Sequence, residues 1–446
     1  MTDTIFALAT APGRGAVAVI RVSGHRAGHL LAGLAGALPQ TRRAELRTLR
    51  SFDDAVLDRA LVLWFPGPAS FTGEDCAEFH LHGGPAVVDG VTLALSAAGA
   101  RLAQPGEFTR RAFENGKLDL SQAEGIADLV DAETASQARQ ALDQMEGGLG
   151  RRYAGWREAL VHALSLLEAS IDFPEDDAGA QIARSAKPAL VALLGELREA
   201  LSDAGRGRLV REGYRIALIG APNAGKSSLI NRLTDQELAI VHDRPGTTRD
   251  IVEAAMTLGG YRVVLSDTAG LRESADVVEA EGARRAGAAA EASALRLWVV
   301  DRSASCGDWR AASSFVRAGD FCILNKSDLH AGDDGAGARG RADELGLEVL
   351  EISATTGSIA TFLERLERHV VKALKGSDFP AATRLRHAEL LRDAVEAVAR
   401  GVERLDEPDL AAEDLRLASR AMERITGHIG AEDVLDRVFS TFCIGK

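Results

Sequence analysis

The segment Gly220-Ala-Pro-Asn-Ala-Gly225-Lys226-Ser227 limits what this chain can fold into more than any other feature. It follows the apolar run Tyr214–Ile219 and precedes residues at helical spacing, so G-x-x-x-x-G-K-[ST] sits at a strand-to-helix turn. There the glycines let backbone N–H groups turn inward around phosphate oxygens, and the helix N-terminus adds partial positive charge. Lys226 is placed to reach the β- and γ-phosphates, and the Ser227 hydroxyl to coordinate Mg2+. Asn223, Ala224, Gly225 and Ser228 complete the cradle. Further apolar runs at 262–265, 295–300 and 321–324 are each followed by a Gly-, Asn- or Asp-bearing loop. Strands alternating with helices over 213–374 predict a doubly wound parallel sheet.

Three other segments turn a phosphate cradle into a guanine-nucleotide switch. Gly246-Thr247-Thr248-Arg249-Asp250 lies where a loop would supply a threonine to Mg2+ and an N–H to the γ-phosphate; Thr248 is the expected ligand. Asp267-Thr268-Ala269-Gly270 follows the run 262–265, with Asp267 suited to the Mg2+ shell and the Gly270 N–H to the γ-phosphate. Loops held by γ-phosphate and Mg2+, and released on hydrolysis, form a switch. Base choice falls to Asn325-Lys326-Ser327-Asp328. Guanine offers two parallel donors, N1–H and the 2-amino group, and the Asp328 carboxylate accepts both. Adenine offers neither, which rejects it by roughly 10⁴-fold or more. Ser353-Ala354-Thr355 is expected to close over guanine O6 with a backbone N–H. Singly these tetrapeptides are weak signals; in order, each after a strand, they specify GTP·Mg and GDP as ligands.

Many small GTPases orient the attacking water with a glutamine directly after the D-x-x-G glycine. Leu271 stands there and cannot. The residues leave two substitutes open. Asn223, with backbone carbonyls of the loop around 242–247, could hold a K+ beside the phosphates in the role of an arginine finger. The acidic stretch Glu273, Asp276, Glu279 and Glu281 could supply a carboxylate acting through a water, or be a solvated acidic helix start.

A chain of 446 residues is too long for one core. Before the nucleotide segment, residues 1–118 read as an α+β domain, with strands at 16–22 and 61–65 and a helix at 85–98. From 119 the texture becomes Ala/Leu/Glu-rich and helical, over 120–142, 153–169 and 188–201, as far as 212; after 374 it returns to helix over 384–442. Each helical stretch alone would expose an apolar stripe, so the two are expected to pack together with the α/β domain inserted between them. The Ala/Gly-rich segment 331–340 reads as a surface loop. Net charge is −13, but residues 1–118 hold 12 Lys+Arg against 11 Asp+Glu, so any contact with RNA must be local. The four cysteines form no Cys-x-x-Cys pair, which excludes a readable zinc site or disulfide framework. With no signal peptide and no apolar run of about 20 residues, the expected location is the cytoplasm, away from membranes.

Beyond these elements the chain closely resembles one family. GAPNAGKSS at 220–228, AIVHDRPGTTRD at 239–250, DTAGLRE at 267–273 and the ending FCIGK at 442–446 are similar to the MnmE (TrmE) tRNA-modification GTPases. DTIFALATAPGRGAVAVIRVSG near the start and PGEFTRRAFENGKLDLSQAEGIADLVDA at 105–132 resemble that family's N-terminal signature, so the likeness spans essentially the whole chain. It implies a folate-binding and dimerisation domain (1–118), a helical domain in two parts (119–212 and 375–446) and an inserted Ras-like G domain (213–374). It implies a homodimer whose G domains associate with K+ as GTP is hydrolysed. It also implies an MnmG (GidA) partner, carrying FAD and using NADH, in a heterotetramer or larger complex. Together these install carboxymethylaminomethyl or aminomethyl groups on the wobble uridine of certain tRNAs, with carbon from 5,10-methylenetetrahydrofolate, for which 5-formyltetrahydrofolate is an analogue.

Matched residue by residue, the resemblance puts folate on Arg21, Glu78, Lys117 and Lys446, the water-orienting carboxylate on Glu279, and K+ on Asn223 with the loop at His242, Arg244 and Thr247. Glu279, Lys226 and Asn223 are thus the expected catalytic set. Cys443, in the tail motif, is open to a chemical role or to that of a buried inert thiol. A ribosome-assembly GTPase is the alternative, but it would need a basic RNA-binding domain after the G domain, and 384–446 is helical and mixed in charge. An ATP-using P-loop enzyme is disfavoured by Asn325 and Asp328.

Overall fold

The structure, a computed structural model, describes residues 3–172, 177–234, 253–267, 287–376, 380–427, 432–440, 442 and 445. The chain forms two compact units. One comprises Met1–Ala127, Leu142–Gly195 and Leu390–Lys446; the other comprises Asp128–Ala141 and Glu196–Glu389.

The first unit contains a six-stranded sheet in the order β3-β4-β5-β2-β1-β6. Its strands are β1 Ile5–Leu8, β2 Val17–Ser23, β3 Glu45–Arg50, β4 Val56–Phe65, β5 Cys76–His82 and β6 Arg101–Leu102. Period-two alternation sorts β2 and β5 into layers. Ile20, Val22, Phe79 and Leu81 enter the core beneath helices Ala27–Ala35 and Pro85–Ala97, with Leu30, Leu34, Trp64 and Leu95. The alternate residues, with Arg21 opposite Glu78 and Val19 opposite His80, point to the other face.

Helices from the two flanking stretches, Gly148–Asp172 and Pro408–Thr426, pack along each other in this unit. Tyr153, Trp156, Leu160, Ala163 and Leu167 are buried at alternating spacings of three and four, as are Ala411, Leu415, Ala418, Met422 and Ile425. Ion pairs Arg157–Glu423 at 2.7 Å and Arg416–Glu168 at 3.2 Å flank the seam. Leu435, Phe439 and Phe442 cluster with Leu120 and Ala123.

The stretch 120–142 is not one helix but two, Leu120–Asp131 and Ala135–Met145. Thr134 caps the second: its hydroxyl accepts from the Gln137 N–H at 3.3 Å, while Gln137 Oε1 accepts from the Thr134 N–H at 3.1 Å. This reciprocal pair is a capping box in the sequence Thr-Ala-Ser-Gln.

The second unit holds another six-stranded sheet, in the order β12-β11-β10-β7-β9-β8. Its strands are β7 Tyr214–Ile219, β8 Glu253–Leu258, β9 Tyr261–Asp267, β10 Leu295–Asp301, β11 Phe321–Asn325 and β12 Glu348–Glu351. The four strands expected from the sequence run parallel to one another, and an edge strand without an expectation, β8, runs antiparallel to β9. The cause is the two-residue turn Gly259-Gly260, whose φ values of 56° and 82° satisfy a type I′ hairpin.

Within the segment 331–340, residues 333–340 are likewise not a loop but part of helix Asp333–Glu344. Two of its glycines serve close packing: a Cβ on Gly335 would lie 3.0 Å from Arg302, and one on Gly337 2.8 Å from the Trp309 ring. Ala338 and Ala342 of the same helix are fully buried, and Asp333 and Asp334 occupy its favourable first turn.

Candidate nucleotide-binding site

Four sequence elements lie at the carboxyl ends of strands in the second unit. The Gly220–Ser227 loop follows β7, Asp267 ends β9, Asn325 ends β11, and Ser353 follows β12. β7 has β9 on one side and β10 on the other, both parallel to it, so the chain reverses its winding beside the phosphate loop. Ligands of open α/β sheets bind at this kind of crevice.

Within the loop, Asn223 takes a left-handed conformation (φ 63°), which Asn tolerates better than most side chains. Gly225 also has a positive φ, and any Cβ there would overlap the Asn325 amide. Helix Lys226–Thr234 then begins. The Lys226 ammonium donates to the carbonyls of Gly220 and Ala221, both at 2.8 Å. Burial pushes its pKa below the ordinary lysine value, and the nearby Asp267 carboxylate opposes that shift.

The Ser227 hydroxyl donates to Asp267 Oδ2 at 2.7 Å. A hydroxyl and a carboxylate in contact, beside inward-turned backbone, form a hard-oxygen donor set that suits Mg2+. Among the described residues no cluster of three or more His, Cys, Asp or Glu could hold a metal, so Mg2+ would need phosphate or water oxygens as well.

Asn325 is the hub. Its Nδ2 donates to the Ala224 carbonyl at 2.8 Å, and its Oδ1 accepts from the Ala354 N–H at 3.0 Å. One buried side chain thereby joins the phosphate loop to the loop expected over the base. Lys326, at φ 62°, extends its ammonium to Asp301 Oδ2 at 2.6 Å. Burial works against ionisation of Asp301, but hydrogen bonds from Lys326 and Ser303 prevail and lower its pKa. Asp328 is exposed beyond this clamp. Ser353 is buried, its hydroxyl accepting from the Thr356 N–H at 3.2 Å, whereas Thr355 is exposed. Ser227, Ser228 and Asn223 are exposed at the mouth, and Ala224 is buried.

His242, Arg244, Thr247, Thr248, Thr268, Ala269, Gly270, Glu279, Cys443 and Lys446 lie outside the described residues. Asp301, which ends β10, was not singled out from sequence; its only signal is its place after the apolar run 295–300.

In the first unit the structure brings Arg21 and Glu78 together. Arg21 Nε and Nη2 both reach Glu78 Oε1, at 3.1 and 3.0 Å, while His80 Nε2 lies 3.2 Å from Oε2. The Arg21 guanidinium sits 5.5 Å from the Phe71 ring centre and 5.9 Å from that of Phe108. Lys117 Nζ donates to the Pro68 carbonyl at 3.1 Å, on the loop that bears Phe71. A cation, a carboxylate and the exposed ring of Phe71 suit a flat heteroaromatic ligand with an acidic tail, while the buried Phe108 backs the guanidinium. His80, Phe71 and Phe108 had no signal in the sequence, because strand pairing places His80 here, a loop brings in Phe71 and helix Glu107–Glu114 brings in Phe108.

A family model described as the MnmE helical domain matches residues 120–443. A second, described as the GTP-binding protein TrmE N-terminus, matches residues 4–117. The tRNA modification GTPase MnmE of Caulobacter vibrioides is 57% identical over 448 residues, covering 100% of both chains. Proteins of the same description from Phenylobacterium zucineum and Maricaulis maris are 54% and 52% identical over 447 and 450 residues, again covering 100% of each chain. No helix among the described residues is long and apolar enough to cross a membrane.

Proposed function

This chain belongs to the MnmE (TrmE) family, and from that membership we propose that it hydrolyses GTP as part of tRNA modification. The observation that carries the proposal is Asn325, which ties the phosphate loop to the base-closing loop while Ser227 ties the same loop to Asp267. Lys226 binds the β- and γ-phosphates, Asn223 to Ser228 line them, and Ser227 with Thr248 holds Mg2+, which neutralises charge gathering on the phosphate oxygens. Asp328 pairs with the N1–H and 2-amino edge of guanine, and Ser353 to Thr355 close over its O6 with a backbone N–H.

The finer assignments belong to the same proposal. K+ at Asn223 and the loop containing His242, Arg244 and Thr247 supplies positive charge to the transferring phosphoryl group. Glu279 orients the attacking water. A tetrahydrofolate, bound by Arg21, Glu78, Lys117 and Lys446, supplies a one-carbon unit in the first unit. The chain works as a cytoplasmic homodimer with an MnmG (GidA) partner, on C5 of the wobble uridine. Domain limits of 1–118, 119–212 with 375–446, and 213–374 fit this division of labour.

Nucleoside analysis of tRNA from a strain lacking the gene tests the proposal: the C5-modified wobble uridine should disappear and return on complementation. Unchanged nucleosides would count against the tRNA role. GTP turnover by the purified protein should be faster in K+ than in Na+, and equal rates would remove the cation from the mechanism.

A further inference from the structure

In the second unit, a short piece of chain grips the edge hairpin β8–β9. Asp128–Ala141 belongs to this unit, although its chain neighbours on both sides, Ala127 and Leu142, belong to the first. Glu133 Oε2 accepts from Arg262 Nε at 2.6 Å, both side chains being largely buried, and Arg262 Nη1 donates to the Glu212 carbonyl at 3.0 Å. The buried Ser136 hydroxyl donates to the carbonyl of Gly260, in the hairpin turn, at 2.7 Å. Gln137 Nε2 donates to the Arg211 carbonyl at 2.9 Å, and Asp128 accepts from both Arg211 and Arg384, at 2.9 and 2.7 Å.

The gripped hairpin is no ordinary edge. β9 starts at Tyr261, beside the pinned turn, and ends at Asp267, which holds Ser227 of the phosphate loop. Its register is fixed on both sides, Leu258 opposite Tyr261 on β8 and Leu218 opposite Asp267 on β7. A strand is stiff along its length, and a hydrogen bond of about 2.7 Å is lost within roughly 0.5–1 Å of stretch. A shift of Asp267 on that scale therefore reaches the contacts of Arg262 and Gly260, at the far end of the same strand and turn.

We propose that Glu133 and Ser136 are positioning residues for Asp267, acting through Arg262 and the Gly260 turn, so that nucleotide state and the seating of Asp128–Ala141 form one linked equilibrium. The inference rests on the nucleotide-site reading above. Linkage is reciprocal: if the γ-phosphate alters how the segment is seated, the segment alters preference for GTP over GDP by the same factor, commonly 5- to 150-fold. Among the described residues neither Glu133 nor Ser136 bonds to a nucleotide loop, so a purely structural role would leave that preference alone.

The test uses the full chain. In the unaltered protein, amide exchange in the peptide spanning 128–141 should differ by about fivefold or more between a non-hydrolysable GTP analogue and GDP. In the Glu133→Gln, Ser136→Ala double variant that difference should collapse, and the ratio of GTP-analogue to GDP affinity should move about fivefold. Glu133→Arg combined with Arg262→Glu should restore the difference, whereas Glu133→Arg alone should not. Exchange that responds equally to nucleotide in the unaltered and double-variant proteins would overturn the inference. So would nucleotide-independent exchange in an unaltered protein that demonstrably binds both ligands. Failure to bind either nucleotide would instead bring down the reading on which the inference rests.

Discussion

Replacing Asn325 with alanine should uncouple the phosphate loop from the base-side loop, and its cost can be worked from two bonds. The amide joins the Ala224 carbonyl at 2.8 Å and the Ala354 N–H at 3.0 Å, with 2% of the residue exposed. Alanine leaves one acceptor and one donor without a partner, at roughly 1–3 kcal/mol each, less wherever a water can enter. A total of about 2–4 kcal/mol is expected. For a domain of 150–250 residues each kcal/mol moves the melting midpoint by about 2–4 °C, giving a fall of roughly 4–16 °C. Calorimetry of the full chain can isolate the relevant transition, because GDP should raise the melting of the nucleotide-binding unit and not of the other. GDP affinity should weaken in parallel, since the two loops are no longer preorganised. A transition that moves by less than about 1 °C, with GDP affinity held within twofold, would refute the role of Asn325 as the joint.

Two further outcomes follow from the site. Lys226 has a pKa lowered by burial, and phosphate oxygens favour its protonated form, so GDP binding should take up protons above that lowered value. Between that lowered value and the ordinary lysine value the unfolded chain binds more protons, so the Lys226 contribution to stability rises with pH there while nucleotide affinity falls. Calorimetry in buffers of different ionisation heat should show net proton uptake on GDP binding as pH rises toward the ordinary lysine range; uptake that is absent or reversed there would deny Lys226 its place on the phosphates. Asp328→Asn should weaken GTP by roughly 10²-fold or more and favour the xanthine nucleotide, whose 2-oxo group accepts from an amide; unchanged GTP affinity in a competition assay would defeat the base assignment.

The nucleotide loops were legible in the sequence because each is local. A run such as Phe321–Asn325 and the motif residues it presents are contiguous, so strand and site announce each other. What escaped depends on contacts between distant segments or on small residues with two uses. Gly335 and Gly337 looked like loop glycines, yet they let a helix approach Arg302 and Trp309. β8 escaped because Glu253–Leu258 carries no continuous apolar run, and only the Gly259-Gly260 turn marks its hairpin with β9. Helical spacing runs on through 132–134, and only the Thr134–Gln137 capping pair marks the break.

The Arg21–Glu78 pair shows why such omissions gather at function. Their charges are plain in the sequence, but their meeting requires β2 to pair with β5 in one register, across 57 residues. A slip of one residue would turn Arg21 into the core and bring Ile20 or Val22 out. The core hydrophobics therefore enforce the polar site: burial of Ile20, Val22, Phe79 and Leu81 on one face leaves Arg21, Glu78 and His80 no other place to stand. The Asp128–Ala141 clamp follows the same logic: Gln137 Oε1 accepts from the backbone N–H of both Glu133 and Thr134, at 3.1 Å each, and so holds Glu133 where it meets Arg262.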